Sequence, residues 1–171
     1  MPGMKVLAIE TSTDFGSCAL WWDGALEQRS CPSGRPHSET LLPLVGDLMA
    51  DAGIGFDQLD AIAFGAGPGA FTGLRVACAV AQGLAVGADL RLVPVCGLAA
   101  MAETVGADRV LGLLDARMGE VYAAAYERRA AGHELLGDIR LGLPAALELP
   151  AGEGWVDRKS TRLNSSHANI S

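Results

Sequence analysis

The segment Gly65-Ala-Gly-Pro-Gly-Ala-Phe-Thr-Gly-Leu-Arg75 packs four glycines, a proline, a threonine and an arginine into eleven residues. Glycines permit positive φ and close backbone approach. A glycine-rich turn that opens a helix presents free N–H groups to an anion. Gly67, Gly69, Thr72, Gly73 and Arg75 therefore form a candidate anion- or nucleotide-proximal loop, with Thr72 as helix cap. The spacing matches neither a P-loop nor GxGxxG, so a purely structural turn stands beside that reading. Glu10 and Asp115 each follow an apolar run, and read either as a carboxylate pair or metal ligands or, more plainly, as solvated or capping groups. His37 opens a helical pattern, His133 falls in a hairpin and His167 lies near the end, so no two-histidine metal site can be drawn. Ser12 and Ser17 have no base close in sequence, which leaves a nucleophile triad unsupported.

Alternating and helical patterns supply the elements that hold these groups. Lys5–Ile9 reads as a buried strand, Ser17–Trp22 as a second, and Asp23-Gly24 as a two-residue hairpin into Ala25–Ser30. Leu41, Leu44, Val45, Leu48, Met49 and Ala52 share one face of a helix, with Ser38 or Thr40 to cap it and Gly53 to stop it. Leu59–Phe64 is a strand, about 72–86 a helix stopped by Gly87, Leu90–Val95 a strand and Leu98–Val105 a short helix. Gly73, Ala77, Ala81 and Ala85 lie four apart, and a stripe of small residues packs either on the chain's own sheet or on a partner helix. Arg109–Asp115, Glu120–Tyr126 and Leu135–Leu141 then repeat the opening pattern of strand, acid, turn, strand, hairpin, strand. The order implies an α/β fold, a mixed sheet with helices on its faces.

Composition narrows the classes. The 171 residues are 50% apolar with a net charge of −7, which excludes a disordered chain and argues against one that grips nucleic acid alone. No uninterrupted apolar stretch reaches membrane-spanning length, and no secretory signal pattern is present. Cys18, Cys31, Cys78 and Cys96 form no CxxC and read as buried thiols of a reducing compartment. Residues 157–171 hold three bases and one acid, net +2, which leaves −9 for residues 1–156. This serine-rich stretch reads as a disordered, non-native tail, a translated adapter scar.

Four segments in order, Met4–Thr13, His37–Pro43, Gly65–Arg75 and Leu114–Tyr122 (LDARMGEVY), resemble the TsaB (YeaZ) family of tRNA threonylcarbamoyladenosine synthesis over about residues 4–156. The resemblance implies an actin/Hsp70/sugar-kinase (RNase H-like) fold of two halves: residues 1–106, and a partial, incomplete second half at 107–156. It implies a non-catalytic scaffold or activating subunit, in the cytoplasm, that pairs with TsaD or forms a homodimer. It also implies a TsaE-type ATPase as a further partner, with ATP and metal on the partner subunits, no cofactor of its own, and tRNA reached only through the complex. The metal-holding His-x-x-x-His of TsaD has no counterpart at Cys96-Gly-Leu-Ala-Ala100. Through the helices of the first half, the resemblance points to Leu41, Leu44, Leu48, Gly73, Ala77 and Ala81 as the partner interface. An independent ATP-dependent enzyme of the same fold is the alternative.

Overall fold

The computed structural model describes residues 3–148 and 151–159. The chain forms two compact units, Met1–Val95 and the residues from Cys96 onward. The first half thus ends at Val95 rather than at 106, because the helix that follows packs on the second sheet.

In the first unit, β1 (Val6–Glu10), β2 (Ser17–Trp22) and β3 (Ala25–Ser30) form an antiparallel meander. The expected hairpin is there: Asp23 and Gly24 both take positive φ, at 48° and 83°, the twist that two-residue turns need. Helix α1 (His37–Ala52) leads to β4 (Ala61–Gly65), parallel to β1, and α2 (Phe71–Ala88) leads to β5 (Arg91–Val95), parallel to β4. The sheet order is β3-β2-β1-β4-β5. Alternate residues Leu7, Ile9, Leu20 and Ile62 turn to the face that α1 and α2 cover, and meet Leu41, Val45, Leu48, Ala77 and Ala81 there. Each buried leucine or isoleucine contributes about 1.5–3 kcal/mol.

The helix ends differ in detail from the sequence expectation. Pro36, not Ser38 or Thr40, is the N-cap of α1; the Thr40 hydroxyl donates back to the Pro36 carbonyl at 3.1 Å. Gly53 ends α1 in the left-handed conformation, as expected. Ala70 rather than Thr72 caps α2, and Asp89 rather than Gly87 ends it, at φ 54°. This helix is long and apolar enough to cross a bilayer by length and composition, a point missed by counting uninterrupted apolar residues.

The second unit repeats the first. After α3 (Gly97–Glu103), β6 (Arg109–Arg117), β7 (Glu120–Arg129) and β8 (Gly132–Gly142) form another meander, and β9 (Trp155–Lys159) lies parallel to β6. The order β8-β7-β6-β9 matches β3-β2-β1-β4 strand for strand. Val110, Leu114, Ala124 and Tyr126 face α3, while Leu111, Leu113, Val121 and Ala123 line the opposite side with Leu147. Strand β9 corrects one expectation. Asp157, Arg158 and Lys159 pair with Leu111, Gly112 and Leu113, so the first three residues assigned to a disordered tail belong to the sheet. Backbone pairing at a sheet edge does not require apolar side chains. The rest of that tail lies outside the described residues.

Candidate functional site

The glycine-rich turn sits against the exit of β1, where Thr11 and Ser12 are buried. The Thr11 hydroxyl donates to the Gly73 carbonyl at 2.7 Å, and the Ala70 N–H donates to the Ser12 carbonyl at 2.7 Å. A Cβ on Gly73 would collide with the Thr11 carbonyl oxygen; one on Gly69 would come within 2.6 Å of Ser12; one on Gly65 would run into the Glu10 carboxylate. Of these four glycines only Gly67 has positive φ, at 100°. Close packing thus accounts for Gly65, Gly69 and Gly73. Thr72 and Arg75 are exposed, and the Arg75 guanidinium stacks on Phe71, 3.8 Å from its ring centre. The Glu10 carboxylate beside Gly65 places negative charge in the loop, which works against an anion there.

The two strand-end acids share one local task. Glu10 accepts the Ser12 N–H at 2.5 Å and Asp115 accepts the Arg117 N–H at 2.8 Å, each bracing the turn that follows its strand. Glu10 belongs to the first unit and Asp115 to the second. Beyond Asp115, Arg117, Met118 and Gly119 all take positive φ and form the tight turn read from the sequence.

The interface assignment needs correction. Leu41, Leu48, Ala77 and Ala81 are fully buried in their own core, Gly73 is buried against Thr11, and Leu44 packs on the same cluster. The small-residue stripe serves the chain's own sheet, because small side chains let α2 lie close on it. The outward faces carry other residues: Leu42, Gly46, Asp47 and Ala50 on α1, and Phe71, Arg75, Ala79, Gln82, Gly83 and Val86 on α2. A side chain added at Gly46 or Gly83 meets nothing within 4 Å.

Three polar arrangements escaped the sequence reading, because they join residues far apart in the chain. His37 Nε2 lies 3.0 Å from the Thr13 carbonyl, tying the β1–β2 turn to α1. His133, its side chain fully buried, places Nε2 3.0 Å from the Ala107 carbonyl and Nδ1 3.2 Å from the Glu103 carboxylate. Glu103 also accepts the His133 N–H at 2.5 Å. These contacts, the backbone bond first, hold the Glu103 carboxyl below the usual carboxylate range. Burial and a contact with Cys96 push the Tyr126 hydroxyl above its ordinary value. Of the four cysteines only Cys18 is buried; the others are half-buried. Among the described residues no group of three His, Cys, Asp or Glu could hold a metal ion.

The TsaD family profile, described as tRNA N6-adenosine threonylcarbamoyltransferase, matches residues 32–163. The chain is 45% identical over 131 residues to the tRNA threonylcarbamoyladenosine biosynthesis protein TsaB of Escherichia coli K12, covering 73% of this chain and 56% of that one. It thus spans about half the length of the curated relatives it matches. Among solved structures, YeaZ from Pseudomonas aeruginosa superimposes with a TM-score of 0.83 at 38% identity, covering 90% of this chain and 75% of YeaZ. Component A of Acidaminococcus fermentans (R)-2-hydroxyglutaryl-CoA dehydratase superimposes at a TM-score of 0.50 and 10% identity, covering 81% of this chain and 47% of that one, and speaks to the fold alone.

Proposed function

The chain belongs to the TsaB (YeaZ) family, and from that premise we propose that it is a non-catalytic subunit of tRNA N6-threonylcarbamoyladenosine synthesis. In this reading it pairs with a TsaD-type subunit, with a homodimer as the competing pairing. A TsaE-type ATPase completes the set, ATP and metal sit on those partners, tRNA is met only in the complex, and the assembly works in the cytoplasm. The observation that carries the scaffold role is what the family's glycine-rich segment does here. Gly65–Gly73 is spent on holding α2 against the exit of β1 rather than on presenting reactive groups. The acidic body supports the same division of labour, since it disfavours direct grip on phosphate.

Partner contact falls to the outward faces of α1 and α2. Gly46, Ala50, Ala79 and Gly83 are small and exposed there, so another backbone can approach closely. Substitutions at Ala77 or Leu48 would wreck the core before they reported on pairing.

Reconstitution tests the role. Formation of threonylcarbamoyladenosine on tRNA by TsaD- and TsaE-type partners should depend on adding this chain. Modification that proceeds equally well without it would sink the proposal. Micromolar ATP binding by the chain alone would favour the ATP-dependent enzyme instead.

A further inference from the structure

Strand β8 is an edge of the second sheet, and among the described residues it pairs with β7 alone. Over its middle even that pairing lapses. The β7–β8 register runs from Ala125–Leu136 to Ala123–Arg140 and steps over Gly137, Asp138 and Ile139. Exposed apolar side chains gather here: Leu135, Leu136, Ile139 and Leu141. Leu136, Asp138 and Arg140 share one face, along the cavity lined by Leu111, Leu113 and Ala123. Asp138 and Arg140 are exposed, and neither side chain has a hydrogen-bond or ion-pair partner among the described residues. Glu134, the other acid of β8, already has Arg129 at 3.7 Å. Charges on a free edge ordinarily discourage pairing, since a foreign strand leaves them unmatched. Their order here, acid then apolar residue then base, makes an exception for one sequence, that of β8 itself.

We propose that β8 is a self-association edge whose occupant is β8 of a second copy of this chain, antiparallel about a two-fold axis through Ile139. In that register Asp138 of each copy stands opposite Arg140 of the other, twice by symmetry. Opposite charges at directly facing positions attract, and like charges there repel. On the other face Ile139 meets its own equivalent. Leu141 lies over Gly137 of the second copy, where a side chain is lacking and the space beside it is open. Leu136 likewise stands opposite Gly142, so large residues meet small ones. Sliding one copy by two residues in either direction sets Asp138 against Asp138 or Arg140 against Arg140, which fixes the register. A single strand pair is smaller than a stable interface, so the association is weak and concentration-dependent. It is separate from the subunit role and from the outward faces of α1 and α2.

The test is sedimentation velocity of the full chain from about 10 μM to about 1 mM, where a monomer–dimer equilibrium is expected. Asp138→Arg alone, or Arg140→Asp alone, should weaken it roughly tenfold or more, because each sets like charges opposite one another. Mixing the two single variants should restore the dimer, since every acid of one then faces a base of the other. The mixture also guards against misfolding, because an unfolded variant could not recover association. Gly83→Arg, on the outward face of α2, should leave self-association unchanged. Its loss in that variant would place the contact on α2 and overturn the assignment to β8. A monomer throughout the range, single variants that dimerise as before, or a mixture that stays monomeric would each overturn it too.

Discussion

Gly73 shows how much one hydrogen atom can matter. Gly73→Ala drives a methyl group into the Thr11 carbonyl and disturbs the Thr11 hydroxyl bond, so it should cost about 1–3 kcal/mol in urea unfolding. An unchanged midpoint would mean the loop yields freely. Glu103 supplies a pH signature. Its carboxyl titrates lower in the folded chain than in the unfolded one, so its stabilisation is full above the ordinary carboxylate value. It is lost as pH falls through the lowered folded value. Glu103→Gln should therefore flatten the fall in Tm below about pH 4.5, while leaving it little changed in shape above. At this scale the sequence disclosed which residues were unusual but not what they touch. The glycines of 65–75 stood out at once. Their purpose needed Glu10, Thr11 and Ser12, more than fifty positions away, and the His133–Glu103 clamp had no local signal at all.

Among the elements, periodicity located nearly every strand and helix, because apolar residues must face the core at the spacing each structure dictates. The ends were harder to read. Gly87 was expected to stop α2, as glycine commonly does, yet it lies inside the helix and Asp89 takes the left-handed position. Gly87→Ala should then raise stability by up to about 1 kcal/mol, since the added methyl meets nothing within 4 Å. A loss in thermal or chemical unfolding would mean that Gly87 needs its conformational freedom. The stripe Gly73, Ala77, Ala81, Ala85 had two readings, and burial against the chain's own sheet decides for the internal one. Spacing alone could not choose, because small residues serve close packing on either kind of neighbour.

Taken whole, the chain is one strand pattern written twice, and the second writing could be seen in the sequence as strand, acid, turn and hairpin. Strand β9 could not. Its Asp157, Arg158 and Lys159 look like a change of composition, whereas their place in the sheet comes from backbone pairing with β6. The proposed pairing surface likewise follows from what faces outward rather than from what is apolar. Titration calorimetry of the chain with a TsaD-type subunit, alongside its Gly83→Arg variant, puts that pairing to the most direct test. Saturable binding is expected, weakened roughly tenfold or more by the substitution, with the variant's own Tm undiminished because the new side chain enters open space. Absence of binding, or equal affinity of the two proteins, would contradict pairing through the outward face of α2.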